Sequence, residues 1–197
     1  GWLYGVNGST TTCNIRGIEF QQGCWRYHPL TDEFELFCEG GGNTYGLTFD
    51  TNGNLFYTTN AGPFVHAVQG GYFYKSFGKH GPLHNRFAYG YFDHVQRDHD
   101  PGVPSGGTMV YGESFPEVFR SKFLVNSFLG HSASWWNVTS HGATVKASYG
   151  GEIFNSNDSW FGPTDLCAGP DGSIYVCDFH EQRQHHPDPD SQWDRTN

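Results

Sequence analysis

The residues of this chain that could do chemistry fall into two short stretches and a set of strand ends. In the first stretch, Lys79-His80-Gly81-Pro82-Leu83-His84, two imidazoles stand four residues apart. Neutral imidazole serves as base or ligand near neutral pH. A four-residue spacing gathers metal ligands only on a helix, and Gly81-Pro82 breaks any helix here. His80 and His84 therefore suit proton transfer or substrate hydrogen bonding; a structural, hydrogen-bonded loop is the plainer alternative. The second stretch runs Asp178-Phe179-His180-Glu181-Gln182-Arg183 and on through His185-His186-Pro187-Asp188-Pro189-Asp190. Carboxylates and imidazoles this close can hold a divalent cation, calcium before zinc, because oxygen donors outnumber thiolates and no cysteine is adjacent. Asp178 is the expected ligand and His180 an acid–base group. Arg183 either pairs with Glu181 or Asp178 or meets an anionic substrate. A solvated loop explains the same residues without a ligand. No Gly-x-Ser-x-Gly elbow, phosphate-binding loop or dinucleotide fingerprint occurs, which disfavours hydrolase, kinase and NAD-dependent chemistry.

The elements that must position these groups show as an internal repeat. Asp50-Thr51-Asn52-Gly53-Asn54-Leu55-Phe56-Tyr57-Thr58-Thr59 and Gly169-Pro170-Asp171-Gly172-Ser173-Ile174-Tyr175-Val176-Cys177-Asp178 are each an Asx-Gly turn followed by an apolar strand. That combination is a hairpin signal with a mechanism. Gly1-Trp2-Leu3-Tyr4-Gly5-Val6-Asn7 fits the strand without its turn, and Ser121-Lys122-Phe123-Leu124-Val125-Asn126-Ser127 is a degenerate copy. Periods of roughly 50 to 70 residues built from short strands predict an all-β fold, a β-propeller with one sheet per blade. The copies account for three to four blades in residues 1–197, a portion of a larger closed propeller. Taking the repeated strand as innermost brings Asn7, Thr59 with Asn60, Ser127 and Asp178 to one central channel, where polar groups in register can form a ligand site. Polar residues also line any wet channel. Irregular inserts at 5–22, 78–107 and 180–197 separate the strands, and Phe87, Tyr89, Tyr91 and Phe92 are expected to pack the second against a sheet face.

Composition agrees. The chain has 197 residues, 11 basic against 20 acidic, and a net charge of −9. With no basic run, it is a poor match for phosphate backbones, which disfavours nucleic acid. No apolar stretch approaches the roughly 18 residues that cross a bilayer as a helix. The 27 glycines, 6 Trp, 11 Tyr and 17 Phe beside a single Met describe a turn-rich β protein. The abrupt start on a strand suggests a fragment or a processed chain. None of the five cysteines forms a CxxC spacing. Cys167 with Cys177, or Cys13 with Cys24, could pair across hairpins, and all five could equally be small buried hydrophobes.

Several motifs follow one another in order: Gly1-Trp2-Leu3-Tyr4-Gly5, Arg16-Gly17-Ile18-Glu19-Phe20, Trp25-Arg26-Tyr27-His28-Pro29, Glu39-Gly40-Gly41-Gly42-Asn43-Thr44, Gly78-Lys79-His80-Gly81-Pro82-Leu83-His84-Asn85 and Trp193-Asp194-Arg195-Thr196-Asn197. With these the chain resembles the membrane-bound dehydrogenase domain of planctomycete and verrucomicrobial proteins, itself similar to soluble quinoprotein glucose and sorbosone dehydrogenases. The resemblance implies an exported, extracytoplasmic propeller that oxidises a carbohydrate or other polyol. It further implies pyrroloquinoline quinone and calcium as cofactors and a c-type haem domain as electron acceptor. Asn60-Ala61-Gly62-Pro63 resembles the quinoprotein segment whose backbone carbonyls hold calcium, so Gly62 and Pro63 are metal-site candidates. Gly40-Gly41-Gly42-Asn43-Thr44-Tyr45-Gly46 matches the stretch that holds the quinone. Asn43 is retained, whereas Gly42 stands where relatives place an arginine, and Gly162 is near the place of another. A tricarboxylate needs several cations, so the alternative is a non-catalytic propeller that binds carbohydrate or protein. The six tryptophans suit sugar stacking either way.

Overall fold

A computed structural model describes residues 1–60, 64–76 and 90–181. More than half of these lie in strands, and none lies in an α-helix; one 3-10 turn spans Glu117–Phe119. No helix of the described residues is long and apolar enough to cross a membrane.

The strands form a row of sheets. The first contains Leu3–Asn7 (β1), Gly23–His28 (β4), Glu33–Gly41 (β5) and Tyr72–Lys75 (β9), in the order β1-β4-β5-β9. A small hairpin, Cys13–Ile15 (β2) with Ile18–Phe20 (β3), occupies part of the insert expected to be irregular. The second sheet is the meander Thr44–Phe49 (β6), Leu55–Thr59 (β7) and Phe64–Ala67 (β8). The third joins Pro104–Val110 (β11), Lys122–Ser127 (β12), Ser132–His141 (β13) and Thr144–Asn155 (β14), with Gln96–Arg97 (β10) parallel at its outer edge. Pro163–Ala168 (β15) and Ile174–Asp178 (β16) close the row as a hairpin. Pairing is antiparallel throughout except at β5–β9 and β10–β14 and the single Phe73–Phe92 bridge.

The repeated strands are β1, β7, β12 and β16, as the periodicity predicts. Three of them are not the innermost strands of their sheets. β7, β12 and β16 each pair with an earlier neighbour, β6, β11 and β15 respectively. Those three neighbours pack directly on one another, β11 touching both β6 and β15. The reason lies in side-chain volume. β6 and β11 meet through Gly46, Gly106 and Gly107, where a Cβ on Gly46 would lie 2.2 Å from the Gly107 nitrogen. The repeated strands carry large side chains on both faces and need a sheet's spacing on each side.

That two-faced burial builds the core. Leu55 and Tyr57 of β7 point into a cluster with Cys24, Cys38, Val65, Ala67 and Phe73, between the first and second sheets. Phe56 points the other way, joining Phe64, Met109, Phe123, Val125 and Trp136 between the second and third. Leu124 of β12 then faces Val110, Phe115 and Leu166 beneath the last hairpin. Aromatic edges fix the middle layer, with Phe64 at 5.0 Å and Tyr149 at 5.4 Å from Trp136. Of the aromatics expected to pack the second insert, Tyr91 stacks 4.2 Å from Tyr74, and Phe92 meets Phe73 edge-on at 5.8 Å. Phe87 and Tyr89 lie outside the described residues.

Next to Phe92, His94 stacks on Phe73 with its Nε2 buried and unpartnered among the described residues. Burial lowers its pKa from the ordinary histidine value, assisted by Arg97. The unfolded chain therefore takes up a proton that the folded chain resists, and stability falls as pH drops below about 6.5. In thermal denaturation between pH 7.5 and 5.5, the His94→Phe variant will lose less stability than the parent; an equal loss would exonerate His94.

Candidate functional site

A cavity of about 400 Å³ opens at one end of the inner strands. Its lining repeats the internal symmetry of the chain. Tyr45, Ser105 and Thr164 are the second residues of β6, β11 and β15, while Asn60, Phe128 and Phe179 each follow the last residue of β7, β12 and β16. Antiparallel hairpins place the start of one strand beside the end of the next, so three hairpins deliver six equivalent positions to one place. Asn43, Val103, Pro104 and Leu129 complete the wall. Among the described residues no lining side chain carries a formal charge, and the volume falls within the usual range for small-ligand pockets.

Asn43 and Asn60 are brought together as a pair. The Asn60 backbone N–H donates to the Asn43 carbonyl at 2.9 Å, and the Asn43 N–H donates to Asn60 Oδ1 at 3.3 Å. Asn43 Oδ1 in turn accepts from the Ser9 N–H at 2.9 Å and the Ser9 hydroxyl at 2.6 Å. Both amide oxygens are thus occupied by the protein, and among the described residues neither amide NH2 group has a hydrogen-bond partner, so both can donate to a ligand. Behind them Gln22, fully buried, donates from Nε2 to the Ser76 carbonyl at 3.0 Å and accepts the Ser76 N–H at 2.7 Å. The Ser76 hydroxyl donates to the Gly41 carbonyl at 2.7 Å, tying the end of β9 to the Gly41–Asn43 corner. Ser105 and Thr164 turn their hydroxyls to the Pro163 and Cys177 carbonyls.

The other candidate residues are placed as follows. Asn7 does not line the cavity; its Nδ2 donates to the Thr11 carbonyl at 2.9 Å and its Oδ1 accepts from the Cys13 thiol. Asp178 is also off the wall, one residue before Phe179. Its Oδ1 accepts the Gly162 N–H at 2.9 Å and its Oδ2 lies 3.3 Å from His180 Nδ1. His180 packs on Trp160, with ring centroids 5.5 Å apart. Asp178 and His180 therefore form a pair beside the cavity rather than on it. Among the described residues no group of three or more His, Cys, Asp or Glu side chains gathers for a metal. Gly62, Pro63, His80, His84 and Arg183 lie outside the described residues.

The strand-end signal that led to Asn60 could also have found Phe128 and Phe179, since all three occupy one position of the repeat. Ser9, Gln22 and Ser76 carry no such signal, because only the folded chain brings the three together.

A quinone tricarboxylate is a poor fit to this wall. No cation lines it among the described residues, and a Cβ on Gly42 would stand 2.7 Å from the Ser76 hydroxyl. An arginine there, as in the quinoproteins, would have to displace Ser76 and with it the bond to Gly41.

Among solved structures the chain is similar to a candidate oxidoreductase (glucose dehydrogenase) from Thermus thermophilus, at 14% identity and a TM-score of 0.64, covering 95% of this chain and 58% of that one. A second structure, a glucose dehydrogenase, gives 17% identity and a TM-score of 0.63 over 92% of this chain and 58% of its own. A third, also a glucose dehydrogenase, gives 17% and 0.61 over 90% and 57%. The chain thus spans under two thirds of these proteins, and at such identities the likeness is one of fold. No curated protein matches the sequence. Residues 1–196 match the family described as "Domain of unknown function (DUF7133)", and the chain belongs to that family.

Proposed function

We propose that this chain is the larger part of a β-propeller whose central cavity binds a neutral polyhydroxylated ligand, a sugar or related polyol. The observation that carries the reading is the uncharged wall: Tyr45, Phe128 and Phe179 supply aromatic surface beside the free amide donors of Asn43 and Asn60. Aromatic faces stack on the C–H faces of sugars, and amide groups meet their hydroxyls. The propeller reading is supported by the packing of the inner strands β6, β11 and β15 on one another and by the glucose dehydrogenase fold likeness. In the full-length protein, an exported dehydrogenase-like enzyme, the bound sugar is oxidised and its electrons pass to a haem partner. Calcium held near Asn60-Ala61-Gly62-Pro63, acid–base roles for His80, His84 and His180, and a substrate contact from Arg183 belong to that reading. The uncharged wall and Gly42 favour a second one, in which the domain binds sugar without oxidising it.

Titration calorimetry with a panel of aldoses and polyols tests the binding. At least one will bind, and Tyr45→Ala will weaken it about tenfold, the value of one lost aromatic contact. Tyr45 is 40% exposed, so the variant will fold. Absence of binding across the panel, or unchanged affinity in Tyr45→Ala, would overturn the proposal. Dye-linked oxidation by the full-length protein, with and without added quinone and calcium, separates the enzyme from the binding module.

A further inference from the structure

Two cysteines that are fourteen positions apart in the sequence face each other inside the protein. Cys24 on β4 and Cys38 on β5 are direct register partners across an antiparallel pair. Opposed residues in such a pair have Cα atoms about 4.5–5.5 Å apart, inside the window of about 4.4–6.8 Å that a disulfide requires. The proximity of Cys38 is one cause of the raised pKa of the Cys24 thiol. Both are buried, at 0% and 2% exposure, in the cluster that joins the first sheet to the second. The Tyr57 hydroxyl of β7 lies 3.9 Å from Cys38 Sγ and donates to the Gly40 carbonyl at 3.1 Å, closing the space over the pair. The hairpin pairings open to sequence reasoning do not form. Cys167 stands opposite Tyr175 and Cys177 opposite Asp165, while Cys13 gives its thiol to Asn7.

We propose that Cys24 and Cys38 are a disulfide site, oxidised when the chain folds in the presence of a small-molecule disulfide such as oxidised glutathione. One cysteine thiolate attacks the reagent, releasing one glutathione thiol and leaving a mixed disulfide. The second then attacks the first cysteine's sulfur in that mixed disulfide, breaking its bond to glutathione, releasing the other glutathione thiol and forming the Cys24–Cys38 bond. Two thiols are oxidised and one external disulfide is reduced. The mutual contact and burial push the Cys24 thiol well above its ordinary range, so little thiolate exists in the folded chain. Exchange is correspondingly slow once β7 covers the pair, and the state acquired during folding is retained. The site thereby records whether the chain folded in an oxidising or a reducing compartment.

The test compares full chain refolded from denaturant with reduced glutathione alone and with a glutathione redox mixture. Each product is freed of reagent, denatured, alkylated and mapped by mass spectrometry. Reduced material will show all five cysteines alkylated. Oxidised material will show a peptide joining residues 24 and 38, with Cys13, Cys167 and Cys177 alkylated. It will also melt roughly 6–12 °C higher, as expected for a closed loop of about 15 residues in a domain of this size. Folded reduced protein exposed to the same mixture without denaturant will acquire the bond far more slowly. Five alkylated thiols after oxidative refolding, or linkage through any other cysteine, would overturn the proposal. Because the readout is made on the unaltered sequence, it does not depend on a variant that folds. The Cys24→Ala/Cys38→Ala chain, where it folds, will melt at the same temperature under both conditions.

Discussion

Valine in place of Gly46 will lower the stability of the domain by about 3–5 kcal/mol, measured by urea or thermal denaturation. Two costs combine. Gly46 has φ +58, where a β-branched residue is strained by at least about 1–2 kcal/mol. The larger cost is crowding, since the added Cβ would stand 2.2 Å from the Gly107 nitrogen and 2.8 Å from the Gly106 carbonyl carbon. Those are backbone atoms of the adjacent inner strand and cannot rotate away, so β6 and β11 must separate. Gly53→Ala is the control for the first cost alone: its φ is +83, yet nothing lies within 4 Å of the new methyl group. It will lose only about 1 kcal/mol. Equal losses at the two positions would show that the close approach of the inner strands is not what Gly46 provides. Tyr45 and Ser105 stand beside the separated backbones, so any Gly46→Val protein that folds will also bind ligand less tightly.

Lys75→Met is expected to cost a similar amount for a different reason. Lys75 Nζ lies 2.9 Å from Glu39 Oε2, and the two side chains are only 3% and 4% exposed. This pair sits where β9 lies parallel to β5, with Glu39 opposite Tyr72 and Gly41 opposite Lys75. Methionine preserves the length and most of the packing of lysine but removes its charge. The Glu39 carboxylate stays buried but loses its 2.9 Å ion pair with Lys75, at a cost of up to about 3–5 kcal/mol. The double variant Glu39→Leu/Lys75→Met removes both charges of this pair, and the double-mutant cycle will give a large coupling energy. Additive losses in the cycle would mean that the two groups are not electrostatically linked.

The repeated strands were legible in the sequence because the clearest copies are announced by an Asx-Gly turn and an apolar run. Asp50 shows why the turn is readable: its Oδ1 accepts the backbone N–H groups of Asn52 and Asn54 at 2.9 and 2.8 Å, and Gly53 supplies the positive φ. The inner strands were not legible. Thr44-Tyr45-Gly46-Leu47 and Pro104-Ser105-Gly106-Gly107 are rich in small residues for close approach, and such sequences read as loops. Taking the repeated strand as innermost shifted the expected site by one residue in two of the copies. It selected Ser127 and Asp178 where the cavity wall uses Phe128 and Phe179. Asn60 was found because its copy was read one residue further. The Cys24–Cys38 pairing was beyond reach for another reason: it depends on strand register, which here includes a bulge between Cys24 and Trp25.

The path of the chain between residues 64 and 75 bears on how the molecule comes apart. β8 belongs to the second sheet, yet after the turn at 68–71 the chain crosses and β9 completes the first. The first sheet cannot peel away from the second without also breaking β9, which follows the second sheet's strands in the sequence. The two behave as one cooperative unit, so the amides of β5 and β7 share a single slow hydrogen-exchange rate rather than two. A cut within that turn would leave the first half without an edge strand and expose β5 to pairing with other chains. Boundaries for shortened versions of this domain therefore belong elsewhere.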